Sequence, residues 1–147
     1  GVHVVMSREE DTALCEETAP NKKIRDMKKR TELINHSKAS IAVSIHQNSY
    51  QTSDVKGAQV FYFTHSVEGK KAAEILQKHL KTVDEINRRE AKPNDTYYIL
   101  KKTEIPTVIV EAGFLTNPEE AAKLQDEAYQ EKIAQAVWEG LKEYLNL

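Results

Sequence analysis

The sequence predicts a layered α/β domain, and three observations predict it. Two short apolar runs rich in β-branched residues, 41–45 and 107–110, are too brief for ordinary helices, and each ends abruptly on polar residues. Elsewhere apolar residues recur at three- and four-residue spacing, as in Ala72, Leu76, Leu80 and Val83. Strand-like and helix-like periods alternate along the chain without internal repeats or low-complexity tracts. Its 147 residues most simply form one domain, long enough to bury a core. A charged fraction of 30% beside 39% hydrophobic residues argues for a folded chain rather than a disordered one. The net charge of −2 gives no reason to expect a nucleic-acid partner. No apolar run approaches the roughly 18 to 20 residues of a membrane span. Cys15 is the only cysteine, which excludes an internal disulfide framework and a cysteine-rich zinc site. The negative charges of Glu16 and Glu17 beside it argue against a thiolate nucleophile.

In chain order, Val2, His3, Val4, Val5 and Met6 alternate like a strand. A strand so close to Gly1 needs neighbours, so the native chain is expected to continue upstream. His3 lies inside this run and reads more readily as a half-buried strand residue than as a ligand. Residues 9–23 are polar, with a turn signal at Pro20 and Asn21. A helix follows, with Ile24, Met27, Thr31 and Ile34 on its inner face and Lys28, Lys29 and Glu32 outside. Asn35, His36 and Ser37 form its C-terminal end, where His36 suits the helix dipole. Of the cluster Lys28, Lys29 and Arg30, only Arg30 is open to turning inward.

After the strand ending at His46, residues 49–56 read as a loop over its end, and 57–63 as a strand whose aromatics belong to the core. Ser66 is the expected N-cap of the helix carrying Ala72, Leu76 and Leu80. His65 and His79 stand beside lysines and are expected to be exposed. Residues 87–95 read as a solvated basic loop with a turn at Pro93 and Asn94. The alternative is that Arg88 or Arg89 clamps a substrate carboxylate with its forked donors. Residues 96–100 are expected to be extended. Pro106 opens the strand that ends at Glu111, and residues 112–115 are expected to turn. Asn117, Pro118 and Glu120 mark a helix start as N-cap, first-position proline and capping-box acid. The last helix carries the stripe Tyr129, Ile133, Val137, Leu141 and Tyr144, broadened by Trp138 and Leu145.

Chemistry is expected where strands end, because ligands of open α/β sheets bind outside the carboxyl ends of the strands. His46 reads either as a hydrogen-bonded core histidine or as a metal ligand. Its place at a strand end favours the ligand, as do Ser44 before it and Asn48 on the same side of an extended chain. Asn48 could hold the ring or a substrate amide. Glu111 reads either as a strand-end carboxylate paired with a lysine or as an acid/base whose pKa is raised by burial.

Ser44, Ile45, His46, Gln47 and Asn48, together with residues 106–117 (P-T-V-I-V-E-A-G-F-L-T-N), resemble the S-I-H-x-N and P-x-x-x-V-E-x-G-F-L-x-N signatures of zinc-dependent N-acetylmuramoyl-L-alanine amidases, the type 3 peptidoglycan amidases. Residues 7–11, Arg30 with Asn35, and residues 57–62 extend the resemblance over nearly the whole chain. Residues 87–100 resemble most the spore-cortex branch, which takes part in making muramic δ-lactam. The resemblance implies an open mixed sheet with helices on both faces, His46 as a zinc ligand and Glu111 as the catalytic carboxylate. It implies peptidoglycan as substrate, an exported protein of the cell envelope or spore cortex, and the possibility of a regulatory protein partner. The family's other two zinc ligands, in a G-H-G-G-like loop and at the start of a first helix, have no counterpart here. Residues 1–147 are therefore expected to be a catalytic domain lacking its N-terminal strand and first helix, and to bind zinc weakly alone. Two rivals remain: a non-catalytic wall- or partner-binding module of this fold, and a different metallohydrolase on a similar sheet.

Overall fold

A computed structural model describes all residues, 1–147. Its order is α1 (Lys22–Ser37), β1 (Ala42–Asn48), β2 (Gln59–Phe63), α2 (Val67–Leu80), β3 (Lys92–Asn94), α3 (Tyr98–Lys102), β4 (Thr107–Phe114), α4 (Pro118–Gln125) and α5 (Glu127–Leu145). The four strands form one mixed sheet in the order β1-β4-β2-β3. β1 runs parallel to β4, β2 antiparallel to β4, and β3 parallel to β2. Alternation along the strands sends Val60, Tyr62, Val108, Val110 and Ala112 to one face, against Leu76 and Leu80 of α2 and Ile133 and Val137 of α5. Phe61 and Ile109 point the other way, onto Ile99 and Leu100 of α3 and Met27 and Ile34 of α1. The central strands are apolar throughout because helices cover both faces. This is the open mixed α/β fold that the resemblance implied.

Local chemistry sets the element boundaries. Asn21 adopts a left-handed conformation (φ 55°) at the entry to α1, and Lys38 does so at its exit. Ser66 caps α2 by accepting the Gly69 N–H, and Asn117 caps α4 by accepting the Glu120 N–H, with Pro118 in the first turn. No helix is long and apolar enough to cross a membrane.

Several expectations are corrected. Residues 2–6 form no strand and lie exposed, since alternation makes a strand only where a neighbour takes up its backbone groups. Ile24 is exposed at the start of α1, one turn before the helix meets the sheet. Pro93 and Asn94 are not a turn but part of β3, an edge strand, where a missing N–H is tolerated. Residues 98–102 are helical rather than extended: Asn94 Oδ1 accepts the Thr96 and Tyr97 N–H groups and starts a tight turn that runs into α3. Residues 112–114 continue β4 instead of turning. Trp138 is partly exposed beneath Lys142 and does not broaden the buried stripe. His79 is not free in solvent, since its Nε2 lies 2.7 Å from Glu143 of α5.

Candidate active site

β1 and β4 are parallel neighbours and place His46 directly beside Glu111, while Gln59 of β2 flanks Glu111 on its other side. Paired residues of adjacent strands project to the same face, so the three side chains form a row across the sheet near the carboxyl ends of β1 and β4. The face is the one that carries Phe61 and Ile109. Just beyond, the register slips between His46 and Asn48, so that Asn48 pairs with Phe114. Such irregularities re-aim side chains where pairing ends.

Glu111 is 5% exposed, and its Oε2 is buried without any hydrogen-bond donor. Burial pushes its pKa above the ordinary glutamate value. His46 is exposed at its outer edge but shielded on the side against the sheet; that burial, and then the positive field of Arg30, hold its pKa below the histidine norm. A neutral ring is the form that binds metals. Its Nε2 lies 2.9 Å from the Ser44 hydroxyl two residues back on the same strand face, which fixes the ring orientation. Arg30 has turned inward from α1, half-buried and paired with Asp26 at 2.7 Å. Asp26 also accepts the Leu14 N–H at 2.7 Å, tying the N-terminal segment to α1. Asn48 does not hold the imidazole; its Oδ1 accepts the Ser49 N–H at 2.8 Å, and its side-chain N–H groups stay free for a ligand.

Two neighbours of Glu111 are given no site role in the sequence reading. Gln59 is a buried polar residue opening an otherwise apolar strand, which was its only signal. Tyr97 packs edge-on against Phe61, and burial followed by the Glu111 charge raises its pKa. The sequence marks Tyr97 only within the stretch 87–100 that resembles the spore-cortex branch, and gives it no site role because α3 is not anticipated there. The donor set for a metal is partial: His46 suits one ligand position, but no group of three His, Cys, Asp or Glu side chains could surround an ion. His3 lies exposed in the N-terminal segment, His36 binds the Glu32 carbonyl, and His79 binds Glu143.

A buried carboxylate with a histidine beside it, at strand ends of an open α/β sheet, fits the site of a hydrolase of this layered class. Comparison with known proteins makes this specific. The family model of N-acetylmuramoyl-L-alanine amidases matches residues 1–143, and the chain belongs to that family. It is 36% identical over 147 residues to the germination-specific N-acetylmuramoyl-L-alanine amidase of Bacillus subtilis, covering 98% of this chain and 62% of that protein. It thus spans about three fifths of that relative's length. Among solved structures, the CwlD amidase of Clostridioides difficile, in complex with the GerS lipoprotein, superposes with a TM-score of 0.92 at 41% identity, over 97% of this chain and 75% of that one. The catalytic domain of CwlV from Bacillus (Paenibacillus) polymyxa gives a TM-score of 0.83 at 29% identity, over 98% and 73%.

Proposed function

We propose that this chain hydrolyses the amide between the lactyl group of N-acetylmuramic acid and the L-alanine of the stem peptide in bacterial peptidoglycan. The observation that carries the reading is Glu111, a buried carboxylate with one oxygen unpaired, in register with His46 at a strand end. A structural carboxylate in such a place would be satisfied by donors. An unsatisfied one is available to a proton. In this reading Glu111 takes a proton from the attacking water as the C–O bond forms. It then delivers that proton to the departing alanine nitrogen as the C–N bond breaks. A raised pKa suits both halves of that transfer.

His46 is assigned as one ligand of a Zn²⁺ ion, which when bound supplies Lewis-acid polarisation of the scissile carbonyl and an acidified water. Catalytic zinc sites use about three protein ligands, and His46 fills one of those positions. Asn48, with free amide N–H groups at the β1 end, is assigned to substrate binding. The germination-specific relative supports a role in the cell wall or spore cortex, reached by export, and the complex of CwlD with a lipoprotein supports a protein partner.

The test is muramoyl-peptide cleavage and zinc content of the protein, parent beside Glu111→Gln. Release of stem peptide by the parent alone supports the reading. The incomplete donor set favours one rival, a wall-binding module of the same fold. Retention on peptidoglycan without zinc or cleavage would establish that instead.

A further inference from the structure

Arg89 is held on the catalytic face in a way that its sequence context did not reveal. Its Nε donates to the Lys56 carbonyl at 2.8 Å and its Nη1 to Gln59 Oε1 at 3.1 Å, while the guanidinium lies 4.9 Å from the centre of the Phe114 ring. Gln59 is the β2 neighbour of Glu111 in the sheet, and Phe114 ends the strand that carries Glu111. Gln59 is itself fixed, since its Nε2 donates to the Glu90 carbonyl at 2.8 Å. The cradle is built with a glycine: Gly57 has φ 105°, and a Cβ there would stand 2.8 Å from Asn87 Oδ1 and 3.2 Å from Arg89 Cδ and Nε. Any larger residue would push the guanidinium off its carbonyl.

This guanidinium is pinned by neutral oxygens and an aromatic face, and no carboxylate of the chain forms a salt bridge with it. The neighbouring cations differ. Lys56 reaches Glu119 at 3.7 Å, and Arg88 turns away to the Glu85 carbonyl. Arg89 keeps Nη2 free of any protein partner beside an open hollow of about 320 Å³, which is also lined by Lys56, Asp84, Asn87 and Arg88. A half-buried, pre-oriented guanidinium with a free donor and no salt bridge is arranged to receive a carboxylate.

We propose that Arg89 is a specificity residue that binds a carboxylate of the stem peptide, on the alanine side of the scissile amide. The proposal rests on the amidase reading above. It explains why the cation is anchored through Gln59: peptide carboxylate and scissile bond are then held on one rigid sheet face, Arg89 on one side of Glu111 and His46 on the other.

The test compares two muramoyl peptides, one with a free carboxylate on the residue after L-alanine and one with that group converted to a carboxamide, cleaved by the protein and by its Arg89→Gln and Arg89→Lys variants. The expected result is that the parent prefers the carboxylate substrate by about 10-fold or more in kcat/KM, mostly through KM. Arg89→Gln brings the kcat/KM ratio of the two substrates close to one, and Arg89→Lys, with the charge but not the fork, retains part of the preference. Equal cleavage of both substrates by the parent overturns the proposal and leaves the amidase reading standing. An equal fall on both substrates in both variants also overturns it, because a purely structural role would lower both alike. Cleavage of neither substrate by the parent overturns the amidase reading and the proposal with it.

Discussion

Replacing Glu111 with Gln is expected to make the protein more stable and nearly inactive, both for one reason. The carboxylate is 5% exposed and its Oε2 receives no hydrogen bond. An unsatisfied buried polar atom costs about 1–3 kcal/mol, and more when charged. Burial raises the pKa of Glu111, so the folded state holds this proton more tightly than the unfolded chain. Its contribution to stability is therefore complete below the ordinary value of 4.5 and is lost as pH rises through the folded value. Gln carries no charge to desolvate. Glu111→Gln should exceed the parent by about 1–3 kcal/mol at neutral pH, with the gap closing below the ordinary carboxylate range. Urea unfolding from about pH 4 to about pH 8, with chelator present so that no metal charge enters, measures the difference. Turnover should fall by roughly 10²-fold or more, the general acid–base contribution. Equal stability at every pH would refute the burial argument, and undiminished turnover would remove Glu111 from the mechanism.

Other substitutions separate site from scaffold. His46→Ala should lower zinc content, read by metal analysis, with little change in the unfolding midpoint because the residue is exposed; unchanged zinc content would sink the ligand assignment. Asn48→Ala should cost about 10-fold in kcat/KM, as removal of a supporting polar group does, and a parental value would show that the free amide has no ligand. Gln77→Leu should destabilise by about 1–3 kcal/mol in urea unfolding. It strands the buried Val60 N–H that Gln77 Oε1 accepts at 2.8 Å, whereas the Ala58 carbonyl keeps a second donor in Asn87 Nδ2. No loss of stability there would mean that Val60 finds water or another acceptor.

The parts of the fold that could be read in the sequence are those where local and tertiary demands coincide. The apolar run of β4, the Ser66 and Asn117 caps and the stripe of α5 each combine a local signal with burial, and each stands where expected. The misreadings fall where a remote partner decides. Residues 2–6 carry a strand pattern but have no neighbouring strand. Pro93 is a turn residue by habit, yet it lies in β3 because β2 offers it an edge. The opening of α3 depends on Asn94 accepting two N–H groups, a contact with no periodicity to betray it. In the site, His46 and Glu111 were legible as polar endings of apolar runs. The inward turn of Arg30 and the anchoring of Arg89 were only alternatives, since a basic cluster looks the same whether it meets water or a carbonyl.

Two carboxylates near the end of β4 show what the structure adds beyond burial. Glu111 and Glu120 are each 5% exposed and belong to one short stretch of sequence. Glu120, read as half of a capping box, does not reach back to the cap; its Oε1 accepts the Gly57 N–H at 2.8 Å and its Oε2 the Phe114 N–H at 2.7 Å. Both oxygens are engaged, and the residue ties the end of β4 to the glycine beside which Arg89 lies. Glu111 instead has a buried oxygen with no donor. Hydrogen-bond satisfaction divides the pair: each Glu120 oxygen is held by a backbone N–H, whereas one Glu111 oxygen has no donor. One residue type thus meets two environments, and Glu120 holds in place the end of the strand that carries Glu111.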